Sequence, residues 1–403
     1  MVTDSSARPV RPTPQPPSPA RRAAAVRLAV ATLALTALAG CASTRYLMQA
    51  AVGEWHVMHD RRSIVDVIDE PDAPQPLVRE LGAVRAARRF ASQQLSLPDN
   101  DSYRSYVNLH RRYVVWNVVA AQRFSVQPKQ WCFPIAGCVA YRGYFHERAA
   151  RAFAAHLKRR GYDVLVEGVP AYSTLGRLPD PVMSTMMRYG SDELAAMIFH
   201  ELAHQLLYVP NDSRFDEAFA MTVENTGLKR WLRYRHEPQR ITLFEHLDAA
   251  DRDFAALLRR ARSRLARVYA SGKTHAQMLR RKRAVFTQLA AQIRALEQHL
   301  QVHAPLYDRW IRQGLNNADL VSVGTYYDCL PGFEQLLRRE HGDLPRFYAA
   351  ARHLAHEPKA LRDRALCRSR GRAPGQRLRA TRADPAAQTP AAAHRTGASA
   401  PSL

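Results

Sequence analysis

His200 and His204 stand four residues apart in the run Ile198-Phe199-His200-Glu201-Leu202-Ala203-His204-Gln205. On an α-helix that spacing stacks the two imidazoles one turn apart on one face, within reach of a single ion. Zinc prefers nitrogen donors in a tetrahedral set, and a catalytic zinc site keeps one position for water. Glu201, beside the first histidine, is placed to take a proton from that water, whose pKa the metal lowers toward ~7. Met197, Ile198, Phe199 and Leu202 supply the apolar flanks that bury such a helix and dry its site. A bare His-Glu-x-x-His run also arises in ordinary surface helices, so the case turns on a third ligand.

Two acids downstream qualify. Pro210-Asn211-Asp212-Ser213 ends the motif helix, and a second helix is expected from about Asp216 to Trp231. Glu217 falls at its start, thirteen residues after His204, where a returning helix delivers a carboxylate to the open side of the histidines. Glu224 lies seven residues further on, hence on the same helix face. It is the alternative ligand, or the group that fixes the tautomer of His200 or His204. Glu217 is preferred because it is nearer the turn and is followed by Ala218, Phe219 and Ala220. Asp212 and Asp216 read as a turn acid and a capping acid.

These side chains need a scaffold, and the rest of the chain supplies its signals. Ser191-Asp192-Glu193 reads as the motif helix's start, a capping hydroxyl with two acids in the first turn. Upstream, Ile64, Val67 and Ile68 mark a short amphipathic stretch, and 77–95 is expected to be helical up to Leu97-Pro98-Asp99-Asn100. Residues 102–122 read as helix or strand, because Tyr113 to Val119 is rich in β-branched residues. Strands are expected at Val139 to Phe145, Asp163 to Gly168 and Val169 to Tyr172, with a helix from Ala149 to Arg160 closed by Gly161. Residues 245–300 read as two long charged helices forming a hairpin, and a last helix is expected at about 332–355. The pattern is α+β and helix-dominated, with a small sheet just upstream of the motif helix.

At the N-terminus, Arg21, Arg22 and Arg27 precede an apolar run from Leu28 to Leu38. At about 11 residues it is shorter than the ~20 needed to span a bilayer. It fits the core of a secretory signal, residues 1–40. Leu38-Ala39-Gly40-Cys41 is similar to the bacterial lipobox, so Cys41 is the expected lipidation site and the lipid a membrane anchor. That predicts a cell-envelope protein facing the periplasm, at the outer membrane. An exported chain is read with oxidising chemistry in mind. Cys132 and Cys138 bracket a Pro/Gly turn and are expected to form a local disulfide, whereas Cys329 and Cys367 stay undecided.

The net charge is +23, from 59 Lys and Arg against 36 Asp and Glu. Much of it lies on helical patterns near 252–283 and in the stretch from Lys359 to Arg382, where Asp363 is the one acid. With no zinc finger, RNA-binding aromatic signature or Gly-rich phosphate loop, specific nucleic-acid binding is not expected. Residues 368–403 are Ala/Pro/Arg-rich and read as a disordered tail, leaving 41–367, with the helical segment 245–300, as the folded region.

Several segments carry a family resemblance: Trp116-Asn117-Val118-Val119-Ala120, Trp131-Cys132-Phe133-Pro134-Ile135-Ala136-Gly137-Cys138, Tyr141-Arg142-Gly143-Tyr144-Phe145 and Ala171-Tyr172-Ser173-Thr174-Leu175-Gly176, besides the His200–His204 motif. The chain resembles the bacterial predicted-aminopeptidase family of lipoproteins, of gluzincin type, over roughly 41–350. Phe215-Asp216-Glu217 matches the family's Asn-Glu segment with Asp in place of Asn. The resemblance implies a zincin-like fold, a Zn²⁺ ion, a peptide substrate and an envelope location. In such enzymes substrate backbone lies along an edge strand beside the motif helix. Val169 to Gly176 is the candidate strand, and Tyr172, Tyr141 and Tyr144 the candidate cleft residues; Tyr172 is equally readable as a core tyrosine. An aminopeptidase is expected. The rivals are an envelope endopeptidase with the same chemistry, or a structural lipoprotein that binds a partner and holds zinc without turnover.

Overall fold

A computed structural model describes residues 46–133, 137–300 and 307–367; Cys41, the signal and the tail 368–403 lie outside the described residues. The chain divides into two units, 1–52 and 53–403. In the first, residues 46–52 are helical. The second opens with helix α1 (53–59), β1 (Arg62–Ser63), α2 (Ile64–Ile68), α3 (Gln75–Leu95) and β2 (Ser105–Val107). Next come β3 (Val115–Gln122), β4 (Trp131–Phe133), β5 (Gly137–Val139), β6 (Tyr141–Tyr144), α4 (Glu147–Arg159) and β7 (Tyr162–Val169). After β8 (Val182–Met183) and α5 (Ser184–Met187) come α6 (Ser191–Leu206) and α7 (Ser213–Tyr234). The remainder is helical: α8 (Pro238–Tyr269), α9 (His275–Leu300), α10 (Asp308–Arg312), α11 (Asn317–Tyr327), α12 (Leu330–Arg339), α13 (Leu344–His356) and α14 (Lys359–Leu366).

The ambiguous run at 102–122 resolves as the strands β2 and β3 rather than a helix. β3 is the middle strand of an antiparallel sheet ordered β6-β3-β7. Val115, Val118, Val119, Ala120 and Ala121 are all buried, so both faces of β3 are covered. That is why its sequence shows no polar alternation. One face packs on α4, where the Tyr144 ring lies 5.7 Å from Phe153. The other packs Val119, Ala121 and Leu165 on Ala318 and Val321 of α11. Asn317 docks that helix across the strand ends: its side chain donates to the Gln122 and Arg123 carbonyls, and its N–H donates to Asp163.

β4 and β5 form a hairpin whose facing residues Cys132 and Cys138 are joined in a disulfide. A second disulfide links Cys329 and Cys367. The expected hairpin at 245–300 is α8 and α9, broken at Gly272 with φ +65. The single helix expected at 332–355 is instead α12 and α13. His341 and Gly342 turn the chain at φ 54 and 78, and the Asp343 side chain caps the Arg346 amide.

The main core gathers α3, α6 and α7 around Phe90, Phe199, Phe219 and Trp231. Gly227 permits the close approach, since a Cβ there would lie 2.8 Å from Leu95 and 2.9 Å from Phe199.

The turn between α6 and α7 is tied to the far end of the chain. Asp212, 3% exposed, accepts from Lys359 Nζ (2.5 Å) and from Arg362 Nε and Nη2 (3.0 and 2.8 Å). Arg362→Met is expected to lower unfolding free energy by about 3 kcal/mol in a urea titration, because it strips a buried carboxylate of its buried partner. Lys359 is half exposed, so Lys359→Met should cost under about 1 kcal/mol. Equal losses would mean that burial of Arg362 does not govern the pair.

Candidate metal centre

α6 starts at Ser191, but its cap is Gly190 at φ 91 and no side chain caps it, contrary to the expected Ser191 hydroxyl. From Leu194 to His204 nearly every side chain is buried, which fixes the helix on all sides. The four-residue spacing then sets the His200 and His204 rings 4.8 Å apart and almost perpendicular, with their Nε2 atoms 3.1 Å apart. After Leu206 the Val209 N–H donates to Asp216 Oδ1 (2.7 Å) and Asn211 adopts φ 68, so α7 returns against α6.

α7 brings two carboxylates to the histidines. Glu217, fully buried, sets Oε2 3.3 Å from His200 Nε2 and 3.7 Å from His204 Nε2. Glu224, two turns later, meets the other nitrogen of His200: Oε2 lies 2.9 Å from Nδ1. The ligand atoms of His200, His204 and Glu217 all fall within 4.8 Å of one another, a group able to hold a metal ion. Donors at ~2.0–2.1 Å around a tetrahedral zinc stand about 3.3 Å apart. The observed spacings of 3.1, 3.3 and 3.7 Å fit that set. Nδ1 of His204 is buried and has no partner among the described residues, so only His200 has a carboxylate to orient it.

Burial alone would drive His200 toward neutrality, but hydrogen bonds with Glu217 and Glu224 hold it well above the usual histidine range. For His204 burial prevails over Glu217 and the ring is pushed down. Burial would likewise raise Glu217, yet the two histidines hold it below the usual carboxylate range.

Glu201, fully buried, sits between the histidines on α6. Two tyrosines share its electrostatic field, and no sequence spacing pointed to either. Tyr103 is 1% exposed and lies at φ 62; burial, then Glu201 and Asp180, push its hydroxyl well up. Tyr326 of α11 is raised the same way by burial, then by Glu217, Tyr141, Glu167 and Glu201.

The three expected cleft tyrosines separate. Alternation along β6 turns Tyr141 toward α11, where it packs against both the main core and the sheet–α11 cluster. Tyr144 faces the opposite way, onto Phe153 of α4. β7 ends at Val169, and Tyr172 lies in the core, the alternative the sequence left open for it, with its hydroxyl donating to Glu54 (2.5 Å). Behind α6, Gln205 donates to Ser102 and Asp180 and accepts from Asn100, bracing the end of the motif helix.

A family model described as "Putative aminopeptidase" matches residues 45–366. No curated protein and no solved structure matches the chain.

Proposed function

The chain belongs to the putative aminopeptidase family and so has a peptidase-like function; from that premise we propose a zinc-dependent aminopeptidase centred on His200, His204 and Glu217. The buried His-His-Glu group beside a buried Glu201 carries the reading. Zinc held there supplies a Lewis acid and a water whose pKa falls toward ~7. Glu201 accepts the proton of the attacking water and returns it to the leaving amine nitrogen. Glu224 keeps His200 in the tautomer that leaves Nε2 free to ligate. Tyr326, whose hydroxyl is pushed up by burial and then by Glu217, Tyr141, Glu167 and Glu201, shares the field of the site.

Exopeptidase action needs acceptors for a free α-amine, and the candidates are on the sheet face under α11. The register sets Gly143 and Glu167 on either side of Asn117. Asn117 is 7% exposed, and its Oδ1 has no hydrogen-bond partner among the described residues. A Cβ on Gly143 would approach that oxygen to 3.4 Å. An ammonium offers only donors, so a carboxylate and an amide oxygen suit it. The test is hydrolysis of alanine p-nitroanilide against its N-acetyl form by the zinc-loaded protein. The free amine should be strongly preferred, and Glu167→Gln should raise its KM by about 10-fold. Equal turnover of both forms would make the enzyme an endopeptidase, and no turnover a non-catalytic zinc protein.

Anchoring to the cell envelope through a lipid on Cys41 belongs to the same proposal, supported by the Leu38–Cys41 run. Its check is whether Cys41→Ala leaves the membrane fraction.

A further inference from the structure

Away from the metal centre, one face of α3 lines a cavity of about 450 Å³ with Arg85, Arg88 and Arg89, closed by Arg104 and Asp99. The three α3 arginines fall at i, i+3 and i+4, so the helix aims all of them the same way. Arg88 is 4% exposed. It donates to the carbonyls of Ser102 (2.9 Å), Pro98 (2.8 Å) and Asn100 (2.9 Å) and to Ser92 Oγ. Those neutral oxygens fix the guanidinium without cancelling its charge. Asp99 is the cavity's one acid. It is largely exposed, bonded to Arg104 at 2.7 Å and 3.7 Å from Arg88. Arg85 and Arg89 are exposed and make no ion pair or side-chain hydrogen bond among the described residues. Burial and then Arg104 push the pKa of Arg88 down against the opposing pull of Asp99, Tyr103 and Asp101, and Arg104 is itself 3.7 Å from Asp101.

We propose that this cavity binds a phosphate-bearing anion, held by Arg85, Arg89 and Arg104 over the fixed charge of Arg88. Guanidinium forks match phosphate oxygens bidentately, and the volume suits a small phosphate compound or the head of a phospholipid. The site does not rest on the peptidase reading: no arginine acts on His200, His204 or Glu217, although Tyr103, which also lines the cavity, lies in the field of Glu201.

Calorimetric titration of the full chain in detergent, with inorganic phosphate and with glycerophosphoglycerol, tests the site and separates its two sources. Tighter binding of inorganic phosphate identifies a soluble ligand; tighter binding of glycerophosphoglycerol identifies a phosphatidylglycerol head. Either is expected to weaken by about 10-fold or more in Arg85→Gln/Arg89→Gln, and in Arg104→Gln as a second variant. The exposed pair Arg280→Gln/Arg281→Gln on α9 should leave it unchanged. Absence of binding by the native protein overturns the proposal. So does an equal loss in the α9 control, which would mean diffuse attraction to a basic surface.

Discussion

Glu201→Gln is expected to slow peptide hydrolysis by about 10²–10⁴-fold while zinc content stays at the native level. Glutamine keeps the shape of a side chain that is wholly buried, so α6 should pack as before. What it loses is the oxygen able to take a proton from water. Since Glu201 lies outside the His200–His204–Glu217 group, the metal has no reason to leave. The measurement pairs zinc analysis by plasma emission with a fluorogenic peptide assay on one preparation. Native hydrolysis in this variant would move the general base elsewhere; lost zinc would make Glu201 part of the ligand set.

Glu217→Gln should abolish tight zinc binding, whereas Glu224→Gln should weaken it only about 10–100-fold. The difference follows from which imidazole nitrogen each carboxylate meets. Glu217 faces Nε2 of both histidines, on the side where an ion would sit. Glu224 accepts from Nδ1 of His200 and so acts on the metal only by setting that ring's tautomer and angle. A neutral amide is a poor zinc donor, but it still offers an oxygen to an N–H. Competitive titration against a chromophoric chelator at one pH ranks the two variants. The reverse ranking would exchange their roles and leave the peptidase reading standing.

Legibility in the sequence followed the length of the interactions. Two histidines on one turn, and a glutamate delivered by the next helix across a short turn, are local relations, and their residues converge. The Cys132–Cys138 pair closes a hairpin and was equally readable. β3 was not, because burial on both faces erased the alternation that marks a strand. Tyr103 and Tyr326 come to Glu201 from about a hundred residues upstream and downstream, through packing that no periodicity records. Tyr172 was readable as either a core or a cleft residue; β7 ends at Val169, Thr174 N–H donates to Asp180, and the ring is buried in the core. Cys329 and Cys367, 38 residues apart with three helices between them, gave no local cue.

The contact of Lys359 and Arg362 with Asp212 sets an order of events during synthesis. The histidines and Glu217 leave the ribosome more than a hundred residues before the cations that neutralise the turn between their helices. Until α14 has emerged, Asp212 cannot be buried with its partners. The turn that leads into the helix of Glu217 therefore gains its buried ion pairs only when the chain is nearly complete. A copy that ends before residue 359 leaves Asp212 without those cations.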